Sequence, residues 1–357
     1  MKENRMRKKP VFALVLALAL LAAALIWALA TARTARLSYA AVQLDAAQRM
    51  QACMEAVKAE KLRLGIPLSP EDIHQTGMLG EEFNWITTTV GSLEAKRTTA
   101  NPDMAALMVR MFHEAGLASG DRVGAGFSGS FPALNIAVLS ACDAMGLQVV
   151  YIASVGASMY GANNPGFTFP EMACFLYDAG LTGAPPALVT LGGDGDVGIG
   201  MDAGMLADIR ERLEKLPVPL MVEPDYQKNL EKRRALYEEN GIGLFVSAGG
   251  NVTSLGLGEE GDALGQGLLR PLAWGSIRPG SGLVERYRLE GIPVINLLNI
   301  KKIVADYGMP YDPQTLPAPG ESPVYFTRWY DPLPAAAGLL LSLACLAWYR
   351  RLIGLRE

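Results

Sequence analysis

The sequence predicts an α/β protein whose mainly parallel, Rossmann-like layered sheet is flanked by helices, with a transmembrane helix near each end of the chain. Three observations support this prediction. Apolar strands alternate with helices over residues 121–297, an order typical of a parallel sheet covered by helices. Two long apolar segments, 11–31 and 332–349, lie outside that region. Half of the 357 residues are hydrophobic, and these two segments explain the positive mean hydropathy of +0.19.

The two apolar segments have the properties of membrane-spanning helices. Residues 11–30 carry no charge and are as many as a helix needs to cross the hydrocarbon layer. Arg350 and Arg351 follow the second segment directly, and five basic residues precede the first. The positive-inside rule therefore puts both termini in the cytoplasm and the domain between them outside the cytoplasmic membrane. A cleaved signal peptide is the alternative for the first segment, but its long apolar run favours an uncleaved anchor.

This topology divides the chain into seven predicted parts. They are a basic cytoplasmic tail (1–10), a transmembrane helix (11–31), a helical stalk with the first part of the outer domain (32–118), an α/β core domain (119–309), a proline-rich linker (310–331), a second transmembrane helix (332–349) and a cytoplasmic tail (350–357). Apolar residues recur at helical spacing over 36–64, so we expect a stalk helix that docks on the domain.

A strand, a loop and a helix are expected next. Residues 85–90 are rich in β-branched residues, which predicts a strand. The polar segment 91–102 predicts a loop, and a helix then runs to Gly116. Within the loop, Lys96 and Arg97 form a pair of cations that suits a polyanion, such as a chain of carboxylates or an anionic lipid head group. A solvated loop is the alternative interpretation.

The core begins with a strand, a tight turn and a helix. Residues 123–127 form the apolar strand, Ser128 to Ser130 the turn, and residues 133–145 an apolar helix that ends at Gly146. We expect Ser130 to be the N-cap of this helix. Two hydroxyl groups and the free N–H groups of a helix N-terminus would then face one point, an arrangement that suits an anion.

The alternation continues to residue 297. Further strands are predicted at 149–153, 186–191, 219–222, 243–247 and 293–297, and further helices at 169–178, 205–216 and 225–239.

The candidate ligand-binding residues follow these strands. Ligands of open parallel sheets bind beyond the carboxyl ends of the strands, and the loops there are small, polar and rich in glycine. The predicted set is Ser128, Gly129, Ser130, Ser158, Asn163, Asp194 and Asn251. Any α/β protein needs turn residues at these places, so a purely structural role is the alternative. The sequence assigns no catalytic residue, metal ligand or cofactor.

A serine hydrolase is one hypothesis for this set. Residues 126–130 resemble the nucleophile elbow G-x-S-x-G, although Ser130 stands where the last glycine belongs. The two histidines, His74 and His113, both precede the core strands, so the chain order Ser, Asp, His is impossible. A Ser–Lys pair that uses Lys96 stays open.

Two other hypotheses concern phosphate and metal ions. The unit of strand, S-G-S turn and helix resembles the first unit of sugar-isomerase-type domains, in which serine and backbone N–H groups bind phosphate. Residues 192–195 resemble the GGDG loop of lipid and NAD kinases, but an outward-facing domain has no supply of ATP. Asp194, Asp196 and Asp202 offer oxygen ligands for a hard cation, without the spacing of an EF-hand. An acidic turn that caps the next helix is the alternative.

The net charge and the cysteines of the chain bear on its expected partners and on possible disulfides. The net charge is −4 and no basic stripe occurs, so nucleic acid is not an expected partner. The chain has no CxxC motif. A disulfide among Cys53, Cys142 and Cys174 stays open.

Four strings in the chain stand out together. They are TGMLGEEFNWITTTVGSLEAKRTTANPDMAA (76–106), GFSGSFPALNIAVLSACDAMGLQVVYIASVGASMYGANNPGFTFPEM (126–172), AGGNVTSLG (248–256) and YGMPYDP (307–313). Together they resemble one bacterial family, the poly-γ-glutamate system proteins. The segments SGSFPALN and SVGASMYGAN are more specific than ordinary turn sequences.

The resemblance implies a membrane-anchored accessory protein of poly-γ-glutamate capsule or polymer synthesis or export. Such a protein would bind the anionic polymer, a precursor or subunits of the synthase complex. The resemblance carries over no catalytic residue. The alternative is an extracytoplasmic enzyme, a serine-dependent hydrolase or transferase that trims or anchors the polymer, with Ser128 or Ser130 at its centre.

Overall fold

The computed structural model describes residues 2–258 and 264–354, with side chains from 11 to 258 and from 264 to 351. The chain forms two compact units. Ser38–Tyr325 make up the larger one, and the two ends of the chain, up to Leu37 and from Phe326, make up the other.

The described residues form twelve α-helices, eleven strands and a 3-10 helix at Pro323–Tyr325. The helices are α1 (Lys2–Ala30), α2 (Ala40–Arg63), α3 (Leu93–Thr99), α4 (Asp103–Ala115), α5 (Pro132–Met145), α6 (Phe169–Asp178), α7 (Ala203–Leu213), α8 (Tyr226–Glu239), α9 (Val252–Leu255), α10 (Leu283–Leu289), α11 (Ile300–Asp306) and α12 (Pro332–Gly354). The strands are β1 (Arg33–Arg36), β2 (Thr87–Thr89), β3 (Arg122–Phe127), β4 (Gln148–Ser154), β5 (Ala157–Ser158), β6 (Leu188–Thr190), β7 (Leu220–Met221), β8 (Leu244–Ala248), β9 (Gly267–Leu269), β10 (Val294–Leu297) and β11 (Phe326–Trp329).

The smaller unit consists of two long apolar helices and a short ribbon. Helices α1 and α12 are long and apolar enough to cross a membrane, with mean hydropathies of 2.8 and 1.5 over their most apolar parts. They pack closely, since a methyl group on Gly338 would lie 2.4 Å from the Cβ atom of Ala24. Next to them β1 and β11 pair antiparallel, with Arg33 opposite Trp329.

The larger unit is built on a seven-stranded sheet in the order β7-β6-β4-β3-β8-β10-β9. Six of these strands are parallel, and β9 pairs antiparallel with β10 at one edge. The prediction of a mainly parallel sheet flanked by helices is confirmed. The edge strand β9 was not predicted, because its sequence Gly-Leu-Leu contains no β-branched or aromatic residue.

Aromatic side chains pack helices α8 and α10 against the sheet. Tyr237 of α8, Phe245 of β8 and Tyr287 of α10 are fully buried, with ring centroids 5.1–6.4 Å apart. The hydroxyl group of Tyr237 donates to the carbonyl of Ala125 in β3 at 2.7 Å. Aromatic clusters of this kind supply much of the apolar burial that stabilises a sheet.

The predicted stalk helix is α2, and it lies within the larger unit. The side-chain amide of Gln43 is fully buried and donates to the carbonyls of Ala106 and Val324. The proline-rich segment up to residue 325 lies in the same unit. Asp103 holds it, because the hydroxyl group of Tyr325 donates to its carboxylate at 2.5 Å. All four cysteines are free thiols.

Two local predictions are wrong. Residues 93–99 form helix α3 where a polar loop was expected, because the hydroxyl of Ser92 caps the N-terminus by accepting from the N–H of Ala95. Ser130 is not the N-cap of α5, which begins at Pro132 after Phe131. The Ser130 hydroxyl instead accepts from the N–H of Ser158 at 3.0 Å.

Lys61 in α2 gives the larger unit a distinctive pH dependence. Its side chain is 3% exposed, and its Nζ donates to the carbonyl of Gly77 at 2.6 Å. Burial lowers the pKa of this amine to about 8, despite the opposing influence of the nearby Asp72 carboxylate.

We expect the free energy of unfolding of the wild type, relative to Lys61→Met, to rise between pH 8 and 10.5. In this range the unfolded chain, with the ordinary lysine pKa of 10.5, binds more protons than the folded one. The difference should grow by up to about 3 kcal/mol. Denaturant titrations of the two proteins in detergent measure it. Lys215→Met, at an exposed site, is the control, and a flat or falling difference would contradict the prediction.

Candidate functional site

One cavity of about 560 Å³ lies beyond the carboxyl ends of β3, β4, β6 and β8. We call it the carboxyl-edge pocket. Its lining includes Lys96, Ser128, Ser130, Ser158, Asp194 and Asn251. The chain continues from β3 to β4 on one side and returns through β8 on the other, so the strand order reverses between β3 and β8. Ligands of open α/β sheets bind at such a reversal.

Five of the seven predicted ligand-binding residues line this pocket, namely Ser128, Ser130, Ser158, Asp194 and Asn251. Gly129 and Asn163 are not among the lining residues. Gly129 is packed behind them, and its N–H donates to the carbonyl of Gly156 at 2.9 Å. Asn163 is fully buried, and its amide bonds to Glu81 and Thr87. Both residues support the walls of the pocket.

Lys96 is a buried lysine whose side chain lines the pocket. It projects from α3, is 3% exposed, and donates from Nζ to the hydroxyl of Ser158 at 2.8 Å and to the carbonyl of Ser130. The Nζ atom also lies 3.5 Å from the centroid of the Phe131 ring. Among the described residues, no carboxylate forms an ion pair with it. Burial therefore holds the pKa of this amine well below its ordinary value of 10.5.

Three serines beside Lys96 are linked by hydrogen bonds from backbone N–H groups to hydroxyl oxygens. The N–H of Ser158 donates to the hydroxyl of Ser130 at 3.0 Å, and the N–H of Ser130 donates to the hydroxyl of Ser128 at 3.2 Å. A hydroxyl that accepts one such bond still has its own hydrogen to donate. No acceptor for the hydrogens of Ser128 and Ser130 is found in the described part of the chain. The pocket thus offers two hydroxyl donors.

A small ribbon outside the main sheet positions Ser158. Strand β5 pairs parallel with β2, which sets Thr89 beside Ser158. Two residues later Tyr160 has a left-handed backbone with φ of 60°, and its N–H donates to the carbonyl of Glu81 at 2.8 Å. The sequence predicted β2 but not β5, because Ala157 and Ser158 are neither β-branched nor aromatic.

Two glycines let the backbone approach the serine hydroxyls. A Cβ atom on Gly91 would lie 2.9 Å from the Oγ atom of Ser158. A Cβ atom on Gly249 would lie 2.2 Å from the Oγ atom of Ser128, and this glycine has a φ of 87°. Larger residues at either position would displace a hydroxyl that lines the pocket.

The three aspartates proposed for a hard cation do not converge. Asp194 is exposed at the pocket, Asp196 is buried, and Asp202 caps α7 by accepting from the N–H of Met205. No group of three His, Cys, Asp or Glu residues that could hold a metal ion occurs within the described ranges. For Asp202 the alternative interpretation therefore applies, namely an acidic turn that caps the next helix.

Asp196 instead belongs to a buried polar network behind the pocket. Its carboxylate accepts from Arg233 at 2.6 Å, Thr190 at 2.8 Å and Asn229 at 3.0 Å. The hydroxyl groups of Thr190 and Ser154 share a hydrogen bond at 2.7 Å, and Ser154 lines the pocket. The network fixes the glycine-rich segment after β6 to α8.

Arg97 and the two histidines do not line the carboxyl-edge pocket. Arg97 forms an ion pair with Glu71 at 3.0 Å, so only Lys96 of the predicted cation pair reaches the pocket. His74 bonds to the carbonyl of Pro313, and His113 stacks on Tyr39 with ring centroids 3.9 Å apart.

We expect Arg233→Met to lower the free energy of unfolding by about 3–5 kcal/mol, because it leaves the buried Asp196 carboxylate without its cation. The matched control is Arg210→Met, which removes an exposed pair with Glu214 and should cost about 0.5 kcal/mol or less. Urea titration monitored by tryptophan fluorescence compares the two. Equal effects of the two substitutions would show that the network does not stabilise the fold.

Comparison of the chain with family models, curated proteins and solved structures finds no match in any of the three. The resemblance to poly-γ-glutamate system proteins therefore stays a prediction that depends on the four strings quoted above. The function of the pocket has to be argued from its own residues.

Proposed function

We propose that this chain is a membrane-anchored accessory protein of poly-γ-glutamate synthesis or export, and that its carboxyl-edge pocket binds the polymer or a precursor. The observation that carries the binding role is Lys96. It is a buried amine at a pocket surface, and no described carboxylate forms an ion pair with its ammonium form. A buried charge is stable only when it is paired, so an anionic ligand would supply the missing partner.

The rest of the pocket suits a carboxylate. The hydroxyl groups of Ser128 and Ser130 have hydrogens to donate, and carboxylate oxygens accept several hydrogen bonds. Each residue of a γ-linked glutamate chain carries one free α-carboxylate. A single cation with two hydroxyl donors matches one such group, and the neutral amide groups between them fit the less polar walls formed by Val90, Phe131 and Ile199.

Binding through Lys96 couples to protonation. In the free protein, burial lowers the pKa of Lys96, and a bound carboxylate would raise it by favouring the ammonium form. Ligand binding is then accompanied by uptake of a proton on Lys96 at a pH above the pKa of this amine in the free protein. Affinity is accordingly constant below that pKa and falls as the pH rises through it.

The membrane topology belongs to the same proposal. Helices α1 and α12 would anchor the chain with both termini in the cytoplasm, where basic residues are favoured. The α/β domain, Rossmann-like in that its strand order reverses at the pocket, would face the extracytoplasmic side. There it meets exported polymer and the outer parts of the synthase complex.

We expect a green fluorescent protein fused after Glu357 to fluoresce, since this reporter matures in the cytoplasm. Alkaline phosphatase fused after Asp331 should be active, because the truncated chain would end outside the membrane. Cell fluorescence and phosphatase activity measure the two fusions. The opposite pair of results would overturn the topology.

We expect Lys96→Met to weaken binding of poly-γ-glutamate by about 10- to 100-fold, the effect of removing a charged hydrogen-bond donor. Lys96→Arg keeps the charge at every accessible pH, so it should bind and should lose the fall in affinity at high pH. Isothermal titration of the full chain in detergent measures both.

The control for this titration is Lys215→Met, which removes the same charge from an exposed site on the domain surface. It should bind like the wild type. If Lys96→Met and Lys215→Met bind equally well, the pocket is not the polymer site.

A further inference from the structure

We propose that Ser158 and Lys96 form a catalytic pair for acyl transfer, with Ser158 as the nucleophile and Lys96 as the general base. This inference goes beyond the proposed binding role, because it adds a covalent step in the same pocket. Only the choice of a γ-glutamyl amide as the substrate rests on the proposed function. The pair itself rests on geometry.

The first argument is the contact between the two side chains. The Nζ atom of Lys96 lies 2.8 Å from the Oγ atom of Ser158, within the range at which a base removes a hydroxyl proton. Both residues line the carboxyl-edge pocket, so a substrate that enters it meets the hydroxyl group. Serine–lysine pairs are a known variant of the serine nucleophile and its base.

The second argument is that the surroundings of Lys96 favour an amine that can be neutral. The Phe131 ring covers its Nζ, and no described carboxylate forms an ion pair with it. Burial therefore keeps the pKa of this amine well below the ordinary lysine value. When neutral, Nζ keeps two hydrogens and one lone pair. A hydrogen bonded to the carbonyl of Ser130 leaves the lone pair for the hydroxyl of Ser158.

The third argument is the free-energy cost of burying the amine of Lys96. A lysine that only filled space beside Phe131 would be replaced without loss by an apolar residue, since its buried amine carries a desolvation penalty. Perturbed groups of this kind, in a cleft and beside a nucleophile, are typical of reactive sites. The structural cost is explained if the amine takes part in chemistry.

The geometry also selects among the serines. Lys96 contacts Ser130 through its backbone carbonyl, and only Ser158 through its hydroxyl. The Ser130 hydroxyl accepts from the N–H of Ser158, which places it beside the nucleophile with a hydrogen to donate. We therefore assign Ser130, with Ser128 behind it, as the donor that stabilises the developing oxyanion.

The proposed acyl transfer needs only Ser158, Lys96, the amide substrate, and water or a second amine. Ser158 Oγ attacks the amide carbonyl carbon as its proton passes to Lys96, and a C–O bond forms. The tetrahedral intermediate collapses, the C–N bond breaks, and the leaving amine takes the proton from Lys96. Water or a second amine then attacks the ester, gives a proton to Lys96, and releases the acyl group. Lys96 finally returns this proton to Ser158.

A fluorescent fluorophosphonate tests the pair on the full chain in detergent. This probe needs no polymer, since the hydroxyl of an activated serine displaces fluoride from its phosphorus. We expect labelling of the wild type at Ser158, located by mass spectrometry of the digested protein. Ser158→Ala should not be labelled. Lys96→Arg, which keeps the charge but cannot act as a base, should be labelled at least about 100-fold more slowly.

The matched control is Ser119→Ala, at an exposed serine, which should be labelled like the wild type. Near-UV circular dichroism and thermal melting show whether each variant folds. If Lys96→Arg does not fold, the wild-type rate against pH decides. It should rise with pH and reach a plateau below pH 10.5, because the base is a lysine with a lowered pKa.

Three results would overturn the catalytic pair: no labelling of the folded wild type at pH 9, labelling at another serine, or equal labelling of Ser158→Ala. The outcome is separate from that of the binding proposal. Polymer binding without labelling leaves an accessory protein with no acyl-transfer activity. Labelling without polymer binding leaves an enzyme that acts on a different acyl substrate.

Discussion

The buried amine of Lys96 is the constraint on which the rest of the pocket depends. Helix α3 carries it inward, the Ser130 carbonyl and the Phe131 ring hold its Nζ, and the β2–β5 ribbon brings Ser158 to it. Gly91 must lack a side chain because the Met159 carbonyl and the Ser158 hydroxyl occupy that space. Each of these features costs conformational freedom or solvation, and each becomes intelligible once the amine has a chemical task.

Two of the buried basic side chains of the domain, Arg233 and Lys96, have different kinds of partner. Arg233 forms an ion pair with Asp196 and hydrogen bonds with Asn229 and Thr190, so its charge has a partner within the protein. Lys96 meets a carbonyl, a hydroxyl and a ring. A paired guanidinium is fixed in its charged form, whereas an unpaired amine can gain or lose a proton. The paired Arg233 suits a structural role, and the unpaired Lys96 suits a role in proton transfer.

Much of the fold follows from the sequence, because long periodic segments with glycine ends are hard to mistake. Gly116 and Gly146 end α4 and α5 in the left-handed conformation expected of them. The pocket could be located as well, because carboxyl ends of parallel strands share one edge. Its chemistry could be predicted only in part, because the sequence offered Lys96 for a polyanion site or a Ser–Lys pair but indicated neither its burial nor its contact with Ser158. The segment 91–102 is polar and short, and its burial around Lys96 depends on contacts with Ser130 and Ser158, which lie 34 and 62 positions away.

The protonation state of Lys96 also decides how binding and catalysis would relate. A carboxylate bound directly to the amine stabilises the ammonium form and so removes the base. An amide carbonyl placed at Ser158 has no such effect, because it is neutral. Under these two proposals, binding at Lys96 and acyl transfer at Ser158 would be alternative uses of one pocket, and a rise in pH would shift it from the first to the second. A polymer with both groups in each residue would engage the pocket productively only when its amide, and not its carboxylate, faces Lys96.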